Sequence, residues 1–203
     1  MSKILILGGY GRAGKNIARL LADYSDHQIT IAGRDLAKAK NCASELNSVF
    51  KTTCLDYKKV DVQERIELKS ALDEVDLVIV CLPLNKELTE NLIYSVLSSR
   101  CKTYLDISPS DEKHTVFQSN QQLITESSKT FVLDAGCEPG MPSGLVRCLK
   151  TLNSNINNVK INVVYRDRAM PDASIQDLIS HHEKGKILKE GIWNYTGKSI
   201  NKV

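Results

Sequence analysis

The chain has 203 residues, 42% hydrophobic and 25% charged, with a formal net charge of +3. That length suits one large domain or one domain plus part of another, and that apolar fraction can build a core, which excludes global disorder. The charge is too mild and too dispersed for a nucleic-acid partner, and no window approaches a membrane span.

Strand and helix signals alternate from the start. Lys3 to Leu7 is a short apolar strand before a glycine cluster, and Lys15 to Tyr24 carries Ile17, Ala18, Leu20 and Leu21 at helical spacing. Gln28 to Ala32 is a β-branched strand, Leu36 to Leu46 a helix rich in Ala and Lys, and a third strand falls between Phe50 and Val62. Gln63 to Leu72 predicts a helix. Asp76 to Leu82 is nearly all apolar, as a parallel strand covered on both faces requires, and Pro83 stops it. Glu87 to Leu97 is amphipathic, Lys102 to Ile107 is a strand, Asp111 to Glu126 is mostly helix or loop, and Thr130 to Asp134 is a sixth strand. Six strands with intervening helices describe a doubly wound parallel α/β sheet over residues 1–135. Residues 136–203 predict the beginning of a second α/β domain. Gly136, Pro139, Gly140 and Pro142 open a loop, then come a helix over Ser143 to Leu152, strand-like alternation over Val159 to Tyr165 and a helix over Ala173 to His182. Gly191-Ile192-Trp193 starts a turn and strand, with Trp193 expected in a core.

Gly8, Gly9 and Arg12 interrupt the first apolar run too early for a secretory leader. The six cysteines show no metal or C-x-x-C spacing, so they predict free thiols, no metal and a cytoplasmic setting.

The most informative stretch is Gly9-Tyr10-Gly11-Arg12-Ala13-Gly14, between the first strand and the first helix. In the Rossmann dinucleotide fingerprint the first glycine permits a tight turn, the second lets the backbone approach a pyrophosphate, and the third lets helix and strand pack closely. The helix dipole then faces the anion. Gly8-x-x-Gly11-x-x-Gly14 is an equally valid reading of the loop. The second strand ends Ala32-Gly33-Arg34-Asp35. No acidic residue holds the position that would bond the ribose 2′-hydroxyl of NAD, whereas Arg34 suits the 2′-phosphate of NADP, with Arg12 helping from the glycine loop. The alternatives are a solvated Arg34 and an Asp35 that caps the next helix or serves NAD. Topology then puts Asp61 and Val62 beside the adenine, Leu82 and Pro83 near the central ribose, and Asp106 and Ser108 nearer the nicotinamide. Strand-end packing or helix capping is the competing role for each.

These residues carry a resemblance. Ile4 to Gly14, Ala32 to Asp35 with the helix after it, and above all Leu133-Asp134-Ala135-Gly136-Cys137-Glu138-Pro139-Gly140-Met141-Pro142 resemble the saccharopine dehydrogenase-like (saccharopine reductase) family. The last stretch is similar to the family's Ala-Gly-x-x-Pro-Gly turn, which leads into its second domain. Asp177-Leu178-Ile179 and Glu190-Gly191-Ile192-Trp193 resemble the opening of that domain. The resemblance implies an NADP-dependent oxidoreductase acting on a small amino-acid-derived imine or carbonyl substrate, and a homodimer supported by the second domain. Gly136, Cys137, Pro139 and Gly140 would form its substrate-side loop. Family members are considerably longer, and no catalytic acid or base of the family maps onto this chain. Two alternatives stand beside it. One is a non-catalytic NAD(P)-binding regulatory module. The other starts from Gly136-Cys137-Glu138-Pro139, which is similar to the nucleophile loop of N-acetyl-glutamyl-phosphate reductases and would pair Cys137 with His181 or His182 as base. Asp134 either caps the turn or faces the nicotinamide.

Overall fold

The computed structural model describes residues 1–50, 55–137, 140–156, 158–160, 185–189 and 192–196. The chain divides into two compact units, residues 1–159 and 160–203. In the first, strands β1 (Lys3–Leu7), β2 (Gln28–Gly33), β3 (Leu55–Lys59), β4 (Leu77–Val80), β5 (Thr103–Asp106) and β6 (Thr130–Val132) form one sheet. Helices α1 (Arg12–Tyr24), α2 (Leu36–Val49), α3 (Arg65–Leu72), α4 (Lys86–Ser98) and the consecutive α5 (Asp111–Ser119) and α6 (Gln121–Glu126) connect them, and α7 (Met141–Leu152) follows β6.

The sheet order is β3-β2-β1-β4-β5-β6, every pair parallel. The winding reverses between β1 and β4, and that reversal opens a crevice at their carboxyl ends. Both faces are covered, which explains the unbroken apolar run of β1. Ile4 and Ile6 pack with Ala18 and Ala22 of α1 and Ala39 and Ala43 of α2, whose small side chains let the helices lie close. Leu5 and Leu7 pack on the other face with Leu68, Leu92 and Phe117 of α3, α4 and α5. Each fully buried Leu or Ile here contributes about 1.5–3 kcal/mol.

Element ends depart from the periodicity for local reasons. α1 starts at Arg12, inside the glycine loop, because Gly11 is its N-cap. The long α5–α6 segment breaks at Asn120, whose side-chain amide turns back onto the Val116 carbonyl. β6 ends at Val132, short of the expected Asp134, because Asp134 adopts a left-handed φ of 57°. α7 starts at Met141 and buries none of its side chains among the described residues; Leu145 and Leu149 lie exposed on it. In the second unit β7 (Gly185–Lys189) pairs antiparallel with β8 (Ile192–Thr196). The expected helix over Ala173 to His182, and the expected strand beyond Lys160, lie outside the described residues. Among those described, no helix is long and apolar enough to cross a membrane.

Candidate cofactor-binding cleft

The loop from β1 to α1 is held at its base by Gly8 and Gly9, whose N–H groups both donate to the Ala32 carbonyl at 2.9 and 3.1 Å. Gly8 takes the left-handed φ of 74°. The tight-turn role therefore falls to Gly8, the alternative reading of the spacing, and not to Gly9. Gly14 meets the other requirement: a Cβ there would run into the Gly8 carbonyl oxygen and lie 2.7 Å from the Gly9 Cα. That approach seats the first turn of α1 directly over the loop. No side chain caps α1 and no acidic residue lies in its first turn; α1 starts at the carboxyl end of β1, so its positive dipole end lies where the crevice opens. Gly11 is partly buried, and Arg12 and Ala13 are exposed beside it.

At the end of β2, the Tyr10 ring lies against Gly33, where a Cβ would come within 2.5 Å of it. The Tyr10 hydroxyl accepts from the Asp35 N–H at 3.3 Å, which ties the glycine loop to the β2–α2 turn. Asp35 is the N-cap of α2 and accepts from the Lys38 N–H at 3.0 Å. That bond holds its carboxyl below the ordinary 3.8. Its capping oxygen is thus engaged with the helix, while Arg34 stands exposed next to it. Lys59, opposite Gly33 in the β2–β3 register, adds a second exposed cation to this corner.

The remaining expected contacts divide. Val62 is buried in the core, 4% exposed, so its side chain is packing and not a wall of the cleft. The Asp61 carboxylate accepts from the Gln63 N–H at 3.0 Å and shapes the turn before α3. Leu82 borders the glycine loop, its side chain 2.7 Å from where a Gly8 Cβ would stand, and Pro83 beyond it is exposed. The Ser108 hydroxyl donates to the Leu82 carbonyl at 3.0 Å and pins the β5 loop to the β4 loop.

Asp106 is fully buried and does not open onto the crevice. Its Oδ1 accepts from Lys113 Nζ at 2.5 Å and from the Asp134 N–H at 3.1 Å, and its Oδ2 from the Tyr104 hydroxyl at 3.1 Å. Lys113, also fully buried, gives its other two protons to the Ser108 carbonyl at 2.6 Å and to Asp134 Oδ1 at 2.7 Å. All three ammonium donors are used. The second Asp134 oxygen meets His114 Nε2 at 2.8 Å. Burial raises the Tyr104 phenol well above its ordinary range, helped by the charge on Asp106. Lys113 and His114 escape sequence reasoning, though Lys113 shares one α5 face with buried Val116 and Phe117, and a lysine inside an apolar stripe is a signal.

Burial pulls the Asp134 carboxyl upward, but hydrogen bonds from His114 and Lys113, with their charges, outweigh it and hold the group at about 2. A depressed carboxylate stabilises the fold above its ordinary value of 3.8 and loses that contribution as pH falls toward the folded value. The gap corresponds to about 2 kcal/mol. Denaturant unfolding followed from pH 5 to pH 2 is expected to lose about this much at Asp134, and Asp134→Asn to flatten that part of the profile.

After β6, the Gly136 carbonyl accepts from the Met141 N–H at 3.1 Å, and Gly140 sits against the Asp134 carbonyl oxygen. This closes the turn that starts α7, of which Glu138 and Pro139 lie outside the described residues. Cys137 is exposed on it; His181 and His182 lie outside the described residues. Cys81, by contrast, is partly buried, and burial pushes its thiol up to about 12.

The family model described as the saccharopine dehydrogenase NADP binding domain matches residues 4–138. The chain belongs to this family. The matched saccharopine dehydrogenase NADP-binding domain ends within the turn after β6. Saccharopine dehydrogenase (L-Glu forming) from Saccharomyces cerevisiae, in its apo form, superposes with a TM-score of 0.60 at 22% identity, over 76% of this chain and 31% of that one. A short-chain dehydrogenase/reductase from Veillonella parvula, solved in complex with NADP, superposes with a TM-score of 0.50 at 14% identity, over 65% and 67% of the two chains. Among curated proteins, UDP-N-acetylglucosamine 4,6-dehydratase (inverting) of Campylobacter jejuni is 38% identical over 77 residues, 37% of this chain and 22% of that protein. The chain thus spans about a fifth of the curated relatives' length. The structural likenesses show the fold, and the family model makes NADP the dinucleotide of the domain. The loop fits it: a Cβ at Gly11 would meet only the Gly8 carbonyl oxygen, at 3.0 Å, which leaves the cradle open to a pyrophosphate above an uncapped helix end.

Proposed function

We propose that this chain is the nucleotide-binding part of an NADP-dependent oxidoreductase that reduces an amino-acid-derived imine or carbonyl. Residues 1–135 hold the dinucleotide, and residues 136–203 begin the portion that meets the substrate. The observation that carries the reading is the glycine loop closed against the amino end of α1, which no side chain caps, at the strand reversal. Gly9 to Gly14 receive the pyrophosphate, Arg34 with Arg12 the 2′-phosphate, and Leu82 and Pro83 border the central ribose. Bound there, NADPH supplies the hydride; the protein orients it and keeps water away. Capping of α2 by Asp35 supports NADP over NAD, because the acidic group nearest the ribose is already engaged.

Calorimetric titration of the wild type and Arg34→Ala with NADP+ and NAD+ tests this. A charged phosphate contact is worth about 1.5–3 kcal/mol, so the variant should lose roughly 10–100-fold in NADP+ affinity and keep its NAD+ affinity. Equal losses for both nucleotides would remove Arg34 from the phosphate, and absence of NADP+ binding to the wild type would end the reading.

A further inference from the structure

We propose that His114, oriented by Asp134, is the catalytic proton donor at the reacting end of the cleft, a role that rests on the oxidoreductase reading above. The pair stands at the carboxyl end of the sheet, on the side away from Arg34. His114 is in the opening turns of α5, and Asp134 immediately follows β6. β6 is two strands from β4 at the crevice. At about 4.8 Å per strand the pair lies roughly 10 Å from it, within reach of a substrate seated over β4 and β5.

Its construction separates it from an ordinary surface contact. The His114 side chain is 43% exposed, whereas its partner Asp134 is 23% exposed and Lys113 beneath is fully buried. Asp134 is held on three sides: by its left-handed backbone, by its N–H on Asp106, and by Lys113 on Oδ1. Only Oδ2 is left, and it fixes Nε2 of the imidazole at 2.8 Å. Among the described residues no partner meets Nδ1, which leaves it for a substrate. Among the described residues, the charged groups of the cluster that faces the imidazole are Asp134, Lys113 and Asp106 behind Lys113, and Asp111 precedes His114 by three positions on α5. The two carboxylates of the buried cluster against one ammonium leave one negative charge for a protonated imidazole to balance.

The chemistry balances. As hydride reaches the carbon of a C=N or C=O group, the π pair moves onto nitrogen or oxygen. That atom takes the proton from Nδ1 of protonated His114, which is left neutral and regains a proton from solvent. NADPH, the two-electron reductant of the reading above, is oxidised to NADP+.

The test needs no substrate. The imidazole titration of His114 is followed by NMR in the wild type, its resonance assigned with His114→Gln, in complexes with NADP+ and with the acid-stable tetrahydro form of NADPH. The two ligands carry the same phosphates and differ in the charge of the nicotinamide ring. A ring near His114 should place its midpoint about 0.5 pH lower in the NADP+ complex, whereas a purely structural His114–Asp134 contact would not respond. If both ligands bind and the midpoints coincide, His114 is not at the reacting end and the proposal falls alone. If neither binds, it falls together with the cofactor reading.

Discussion

Replacing Lys113 by Met lowers the unfolding free energy by about 3–5 kcal/mol, the usual cost of removing one partner from a buried ion pair. Lys113 and Asp106 are both fully buried and meet at 2.5 Å. The substitution keeps much of the side-chain volume but leaves the Asp106 carboxylate with the Tyr104 hydroxyl and the Asp134 N–H alone. At about 2–4 °C per kcal/mol, the melting temperature should drop by roughly 6–20 °C. Adding Asp106→Asn removes the orphaned charge and should restore part of the loss. A Lys113→Met protein within about 1 kcal/mol of the wild type in urea unfolding would show that the cluster is solvated and not buried.

Gly14→Ala is expected to cost roughly 100-fold in NADP+ affinity while leaving a folded protein. The added methyl group would press on two backbone groups, the Gly8 carbonyl oxygen and the Gly9 Cα. Neither can rotate aside, so α1 must shift from the loop. Overpacking of this kind costs about 1–3 kcal/mol of stability. A displacement of about 1 Å at a positioned group is enough for a 10²-fold loss of function. Circular dichroism with calorimetry separates the two effects. Wild-type affinity in the variant would mean that the nucleotide does not rest on this helix end.

Much of this was legible in the residues, for identifiable reasons. The apolar run of β4 and the glycine spacing after β1 follow from a sheet buried on both faces and from the needs of a phosphate cradle. β3 was vague because it is an edge strand: only Leu55 of its Leu-Asp-Tyr-Lys-Lys is fully buried, so no alternation marks its limits. Gly8 and Gly9 competed for the tight turn on spacing alone, and only the sign of φ decides between them. Asp35 has two compatible roles on sequence alone, and its bond from the Lys38 N–H assigns it the cap. The Asp106–Lys113–Asp134–His114 cluster was the least legible part. It joins residues 28 positions apart through a strand pairing, and a lysine in a helix ordinarily signals solvent.

The central claim, that the β1–α1 loop holds the pyrophosphate of NADP, is met most directly by following backbone amide resonances while NADP+ is titrated into the wild type. The account predicts saturable shifts at Gly9 to Gly14 and at Gly33 to Asp35, with NAD+ moving the first set at weaker affinity and the second set less. Resonances of the glycine loop that stay fixed while others saturate, or no saturable shift anywhere, would contradict it.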